Sequence, residues 1–310
     1  AALAAPDVVV LNEKGGPVMA TTLTTGTTTA RPAKRGPTLG VVGARVITHA
    51  VLIVMCFVSF APFVWSVFAS LKSYKELTNS MDLLPHVWTL MNYSEIVGRS
   101  TFGSGFLNSF LVAVPITVAT LVTSSAVGFV FAKYQFWGKD QLYVLLLATL
   151  MVPFSVVLVP LYVTISRMGL VNHLTGLVIT GLWSTFGIFL MRQFMETIPG
   201  ELLDVSRIDG ASEWRIFLQV VLPLSKAPMA ALAAFTFLGN WDSYLWPLVV
   251  LSTPDKQTLP LVLAGLRNLY WSRYDLWSAG AMLTVIPVMI VYALGSRYFI
   301  QGIAMSGMKL

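Results

Sequence analysis

Asp204–Pro223 reads DVSRIDGASEWRIFLQVVLP, a charged stretch broken by glycine and lying between the apolar runs 168–191 and 227–254. Just ahead of it, Pro199 suits a first helical position, and Glu201 and Asp204 fall in or near a first turn, where a carboxylate is favoured by the helix dipole. Leu202, Val205 and Ile208 then recur three apart on one face, until Asp209-Gly210 supplies a turn dipeptide in which glycine takes the positive φ that other residues resist. A second helix is predicted through Trp214, Phe217, Leu218 and Val221, ending where Pro223 interrupts the hydrogen-bond ladder. The loop 197–223 therefore reads as a helix-turn-helix knob. It is either a docking element for a partner or an amphipathic connector lying along lipid headgroups.

The flanking runs decide the setting. Apolar residues are 56% of the 310 and charged residues 11%, and the mean hydropathy is strongly positive, a balance that a soluble domain with a polar surface cannot carry. No Asp, Glu, Lys or Arg occurs between Arg45 and Lys72 or between Arg99 and Lys133, and the segments 141–166, 168–191 and 276–296 are equally bare; 227–254 is interrupted by Asp242 alone. Each is long enough for the roughly 20 residues that cross a hydrocarbon core. The fold class expected is an all-α integral membrane protein of six transmembrane helices, with the knob between the fourth and fifth.

With the N-terminus inside, 13 Lys and Arg fall in cytoplasmic segments and 7 outside, which favours both termini and the knob in the cytoplasm. The net charge of +6 is accounted for by basic loops against anionic headgroups and implies no nucleic acid. Residues 1–44 hold a Thr-rich run, Thr21 to Thr29, followed by Arg31, Pro32, Lys34, Arg35 and Pro37; they read as a disordered cytoplasmic tail in which Met19 is a candidate start. The run after Arg45 is too long for a cleaved secretory signal. The single Cys56 forms no internal disulfide, and His49, His86 and His173 lie apart without neighbouring ligands, so no metal site is expected. A GxxxxGK[ST] phosphate loop is missing, so any ATP that drives this chain is bound by another subunit.

The knob resembles the coupling-loop signature of importer-type ABC transporter permeases, EAAxxDGAxxxxxFxxIxLP, at Asp209, Gly210, Ala211, Phe217, Leu222 and Pro223, with Val220 for Ile. It departs where the family has Glu-Ala-Ala: Asp204-Val205-Ser206 keeps a carboxylate, shortens it and enlarges the pair behind it. Weaker marks resemble the maltose-type carbohydrate permeases: Asn108-Ser109, MVPFSVVLVPLY from Met151, NWDSYLWPLVVL from Asn240 and RYFIQGIAMSG from Arg297. The resemblance covers residues 45–310 and implies a six-helix permease domain. Its knob, carried by Asp204, Asp209, Gly210, Ala211, Trp214, Phe217, Leu222 and Pro223, would dock on an ATPase dimer that binds ATP and Mg. A second, related permease and an extracytoplasmic sugar-binding protein would complete the importer. The chain itself is then not an enzyme and holds no cofactor.

Asn240 and Asp242 are the costliest residues in any expected span, and Trp241, Tyr244 and Trp246 surround them. Aromatic faces beside hydrogen-bonding groups suit sugars, so these five are candidates for a substrate pathway; an outer aromatic belt, with Asp242 pairing to a partner subunit, fits the same residues. No Lys or Arg in that span favours a neutral substrate, although the architecture also serves glycerol-phosphate compounds. The outer loops 72–105 and 255–275, the latter with Tyr270, Trp271, Arg273 and Tyr274, are candidates for contact with the binding protein or for lying on headgroups. Two other classes stay open. An ion-coupled secondary transporter would have ionisable groups near the midplane in repeated halves, and Asp242 alone qualifies; a membrane enzyme would cluster acids, bases or nucleophiles, which this chain scatters.

Overall fold

The structure, a computed structural model, describes residues 39–269 and 273–306, with the backbone alone for 39–44, 100, 267–269 and 296–306. The tail up to residue 38, and Tyr270 and Trp271, lie outside the described residues. Two units divide the chain, residues 1–58 and 59–310. In the first, the described segment belongs to α1 (Leu39–Ser70), which is helical from before the boundary at 45 and whose residues 45–58 are exposed. A helix apolar all round is built to face lipid or another protein.

Within the second unit, two short helices, α2 (Tyr74–Asn79) and α3 (Met91–Val97), precede the long α4 (Ser100–Lys133). The chain continues through α5 (Lys139–Ala148), α6 (Phe154–Arg167), α7 (Leu174–Thr180) and α8 (Thr185–Glu196). The knob holds α9 (Gly200–Ile208) and α10 (Glu213–Ile216), followed by a π turn at Phe217–Val221 and α11 (Leu222–Leu224). Then come α12 (Lys226–Trp241), α13 (Leu245–Val250), α14 (Leu259–Leu269) and α15 (Tyr274–Ser306). The described residues form helices and no strand.

Three helices are long and apolar enough to cross a membrane, Arg45–Ser70, Thr101–Lys133 and Tyr274–Gly295; three more candidates are bent pairs. The bends correct the straight runs expected at 141–166, 168–191 and 227–254. Lys139–Met151 and Phe154–Arg167 meet at 99° because Val152 is extended ahead of Pro153, which has no N–H to continue the ladder. Leu174–Thr180 and Thr185–Glu196 meet at 40°, the second helix starting afresh where Ser184 Oγ accepts the Gly187 N–H at 3.1 Å. Glu213–Leu224 and Lys226–Trp241 meet at 78° across Ser225, so the second knob helix outlasts Pro223, which sits inside its last turn. The π turn ahead of it widens the ladder, with the Leu222 N–H bonded to the Phe217 carbonyl. Finally, α12 ends at Trp241 and the chain turns through 242–244 into α13.

Around α4 the helices of the second unit form four apolar clusters, the smallest built from Phe131, Tyr143 and Ile188. One gathers Phe129, Met191, Met195, Leu203, Ile216, Phe217 and Leu232, and ties the knob to α4, α8 and α12. A second joins Ile96, Phe102, Phe237, Trp241, Leu259 and Leu276 at the opposite end, and a third gathers Val112, Ile116, Ile165, Leu177, Trp246 and Val250. The polar pair Asn108-Ser109 pins the loop before α14 to α4. Asn108 Nδ2 donates to the Asp255 and Gln257 carbonyls at 2.9 Å each, and Ser109 Oγ accepts the Leu259 N–H at 2.8 Å. Another tie had no strong signal in the sequence: Asn172, at φ 59°, accepts the Ser252 and Thr253 N–H groups on Oδ1.

The α4–α8 seam is the tightest. A Cβ at Gly128 would lie 2.8 Å from Met191 Cβ and 3.0 Å from the Arg192 amide nitrogen, so the α8 backbone occupies the space that a side chain would need. Ser124, one turn earlier, faces Gly187 in the same way. Small residues four apart let membrane helices approach closely, since apolar burial gives no net drive between helices in lipid. Gly128→Leu should force the helices apart, costing about 1–3 kcal/mol by overpacking. The purified protein in mild detergent should melt several degrees lower; an unchanged melting temperature would show that the seam tolerates a side chain.

Candidate functional site

In the knob, Pro199 stands at the N-cap of α9, one position earlier than the sequence suggests, and Glu201 lies in the first turn. The turn after α9 closes with two backbone bonds of 3.0 Å, Gly210 N–H to the Arg207 carbonyl and Ala211 N–H to the Ser206 carbonyl. This is the paired pattern of a helix ending in a left-handed residue, and Gly210 has the φ of +78° that it requires. A Cβ there would meet nothing within 4 Å, so the conformation, and not crowding, selects glycine. Ser212 then caps α10 by accepting the Arg215 N–H at 3.4 Å.

Only part of the knob's apolar surface is used inward. Leu203, Ile216 and Phe217 are buried against Met195 and Phe129. The stripe read from the sequence, Leu202, Val205 and Ile208, points outward, with Ile208 84% exposed, and Trp214 beside it is 71% exposed. An apolar stripe of this kind on a charged loop has the composition of a docking face. Asp204 and Glu213 are bridged by Arg207 at 2.8 Å each, and the Tyr134 hydroxyl donates to Glu213. Hydrogen bonds from Arg207 first and Tyr134 second hold the Glu213 carboxyl below its usual range; burial, then Glu213, pushes the Tyr134 phenol up to about 12.

A second feature lies where the helix breaks converge. Two cavities of about 370 and 260 Å³ share Gly181 and Asn240 in their walls. Phe154, just past the 99° bend, lines the larger with Ser243, Tyr244 and Trp246; Trp183, Ser184, Phe186 and Phe235 line the smaller. Among the described residues no charged one lines either. Unwound backbone at membrane depth is tolerated where protein or a cavity meets its polar groups. Here the Gly181 and Leu182 carbonyls accept Thr120 Oγ1 and Thr123 Oγ1 at 3.3 and 3.2 Å, and the Trp246 indole donates to Thr180 Oγ1 at 3.0 Å.

The family described as the binding-protein-dependent transport system inner membrane component matches residues 124–304. The arabinooligosaccharide transport system permease AraQ of Halalkalibacterium halodurans is 35% identical over 259 residues, covering 82% of this chain and 93% of its own. The chain belongs to this permease family. The sn-glycerol-3-phosphate permease UgpE of Pectobacterium atrosepticum is 34% identical, covering 84% of this chain and 96% of its own. A bacterial ABC transporter involved in the import of the acidic polysaccharide alginate has the same fold, with a TM-score of 0.77 at 21% identity over 86% of this chain and 99% of its own.

The permease fold separates the residues that the sequence grouped. Asn240 lines both cavities, its Nδ2 bonded to the Thr236 carbonyl at 2.8 Å, and Tyr244 and Trp246 line the larger one. Trp241 is 1% exposed, stacked on Phe237 and donating Nε1–H to the Thr284 carbonyl at 3.2 Å; it is a core residue joining α12 to α15 and lines neither of these two cavities. Asp242 is exposed at the C-cap of α12, lines neither cavity, and its carboxylate has no partner among the described residues. The Thr180–Ser184 break and the aromatic residues Trp183, Phe186 and Phe235 escaped the sequence reading. Their one signal is a glycine and a serine interrupting an apolar run.

In the loops expected to lie outside, Arg273 is held internally: it bonds the buried Asp275 carboxylate at 3.0 Å through Nε and reaches Glu95 at 3.1 Å. Hydrogen bonds from Arg99 first, and Arg273, keep the Glu95 carboxyl below its usual range. Tyr274 is exposed and lines an open pocket of about 500 Å³ with Trp65, Lys72 and Met81. Replacing Gly210 by alanine should cost about 1–2 kcal/mol, the price of a left-handed conformation for a residue with a Cβ. Amide exchange at Ala211 should then quicken roughly fivefold or more; unchanged protection would mean that the turn has another acceptable geometry.

Proposed function

We propose that this permease is a membrane subunit of a carbohydrate importer, driven by ATP that is bound with Mg and hydrolysed on a partner ATPase dimer. One observation carries the reading: a rigid knob between membrane helices, turned at Gly210, that leaves Ile208 and Trp214 uncovered. In this reading the three long helices and the three bent pairs make six spans, and the excess of Lys and Arg in the segments assigned inside supports both termini and this knob lying in the cytoplasm. A second, related permease completes the pathway, and an extracytoplasmic binding protein delivers the sugar at the outer loops, where Tyr274 is exposed.

The mechanism follows from what the knob can do. Seated in a cleft of the ATPase, it moves as the ATPase subunits close on ATP, the helix bundles tilt, and the cavity switches from inward-facing to outward-facing; hydrolysis resets it. The cavity supports a neutral, hydroxyl-rich substrate. Aromatic faces such as Tyr244 and Trp246 stack on the C–H faces of a sugar, and Asn240, Ser243 and Thr236 offer hydrogen bonds. Glycerol phosphate, the substrate named for one relative, would bring a charge that no cationic side chain in these walls would meet.

Purification from mild-detergent membranes should recover an ATPase, a second six-helix permease and a binding protein in fixed proportion; recovery of this chain alone would overturn the reading. In that complex Gly210→Trp, which adds bulk to an open docking face, should leave membrane insertion intact and cut uptake about tenfold or more, with hydrolysis no longer following substrate. Normal uptake by a stably inserted Gly210→Trp permease would count against docking.

A further inference from the structure

The two halves of the knob and the C-terminal end of α4 are linked by one polar chain. Arg207 donates to Asp204 at 2.8 Å and to Glu213 through Nε at 2.8 Å and a terminal nitrogen at 3.3 Å. Glu213 Oε2 also accepts the hydroxyl of Tyr134, the C-cap residue of α4, across 79 positions of sequence. Lys133, beside it, donates to the Ile198 carbonyl just ahead of α9, and Lys139 donates to the Tyr134 carbonyl at 2.9 Å. Beneath the polar chain, Phe129 stacks on Phe217 with ring centroids 5.2 Å apart, and the Tyr134 ring meets Phe129 edge-on at 5.4 Å.

The other exit from the knob is looser. After Ile216 the chain passes through the π turn, then bends 78° at Ser225 before α12 begins. π turns recur at functional sites and interrupt the regular ladder. Ser225 is buried, and its hydroxyl lacks a partner among the described residues, so its side chain adds no hydrogen bond across the bend. The covalent path from knob to α12 is thus jointed, while the non-covalent path to α4 is cross-braced. Because α4 also lines the smaller cavity with Ile116 and Thr120, a push on the knob reaches the cavity wall through α4.

We propose that Tyr134 and Glu213 form a latch that makes α4 follow the knob, so that the displacement imposed by the ATPase reaches the cavity and is not absorbed at the joint before α12. Both are positioning residues. Exposed ion pairs add little stability, so Arg207 serves chiefly to aim the Glu213 carboxylate at the Tyr134 hydroxyl. The latch rests on the docking of the knob in an ATPase.

The test uses the complete importer with Tyr134→Phe, Glu213→Gln and the double variant, measuring uptake and ATP hydrolysis together. Tyr134→Phe keeps the ring on Phe129 and deletes one hydroxyl. Uptake per ATP should fall about fivefold in each single variant and no further in the double, with subunit composition and melting temperature unchanged. Spin labels at Glu201, exposed in the first turn of α9, and at Gln135 should hold one distance through the ATP cycle in the parent and several in Tyr134→Phe. Parental uptake per ATP in both single variants, loss of the ATPase from the complex, or a label distance that already changes in the parent would each overturn the latch. Gly210→Trp run in parallel separates the two ideas: if it transports normally, docking itself fails, whereas if it is uncoupled and Tyr134→Phe is not, the latch alone fails.

Discussion

The close approach of α4 and α8 at Gly128 is the constraint to which the rest of the second unit is referred. Lipid offers apolar side chains nothing worse than protein does, so membrane helices gain from backbone proximity and shape fit, and one missing Cβ fixes where two helices touch. From that seam Phe129 and Met195 extend toward the knob, while Ile116 and Thr120, two to three turns back along α4, reach the cavity. The knob and the cavity wall therefore share one member, α4.

The helix breaks obey a second constraint. Freed backbone groups at membrane depth must find partners, which restricts breaks to places where side chains or water can supply them. The bends near Pro153, at Gly181–Ser184 and after Trp241 all border the same pair of cavities. Thr120 and Thr123 on α4 satisfy the Gly181 and Leu182 carbonyls, so the polar residues that look out of place within an apolar helix are those that make a neighbouring break tolerable. Hydroxyls that serve backbone on one side leave a wall of mixed polarity on the other, without any charge.

How much of this was legible depended on whether a feature was local. The knob was readable because its determinants are adjacent in sequence: a proline, acids in or near a first turn and Asp209-Gly210 for the reversal, while the Ser212 cap of the next helix went unread. The apolar runs were readable for the same reason, as was the presence of Pro153, but a 99° bend is set by what packs on either side and has no local code. Trp241 and Trp246 illustrate the limit. Both stand among polar and aromatic neighbours, yet one ends a helix facing Thr284 and the other begins anew beyond the 242–244 turn, and only the turn separates core from cavity. Likewise Leu202, Val205 and Ile208 were correctly placed on one face, but periodicity does not say whether a face turns inward or outward; Leu203, between them, is the residue that is buried.

The departure from the family signature has a physical reading in the same terms. Where Asp204 replaces glutamate, the shorter carboxylate is held by Arg207 within its own helix, and Arg207 in turn spans the turn to Glu213. Charge that a longer side chain could extend toward a partner is here used to brace the knob, and the outward surface mixes Ile208, Trp214, Val205 and Leu218 with exposed Asp209 and Arg215. Apolar surface attracts by burial, which is non-directional, so the orientation of such a knob must be enforced from within. Bracing between α9, α10 and the end of α4 supplies that orientation, and a knob stiffened from behind can afford a greasy tip.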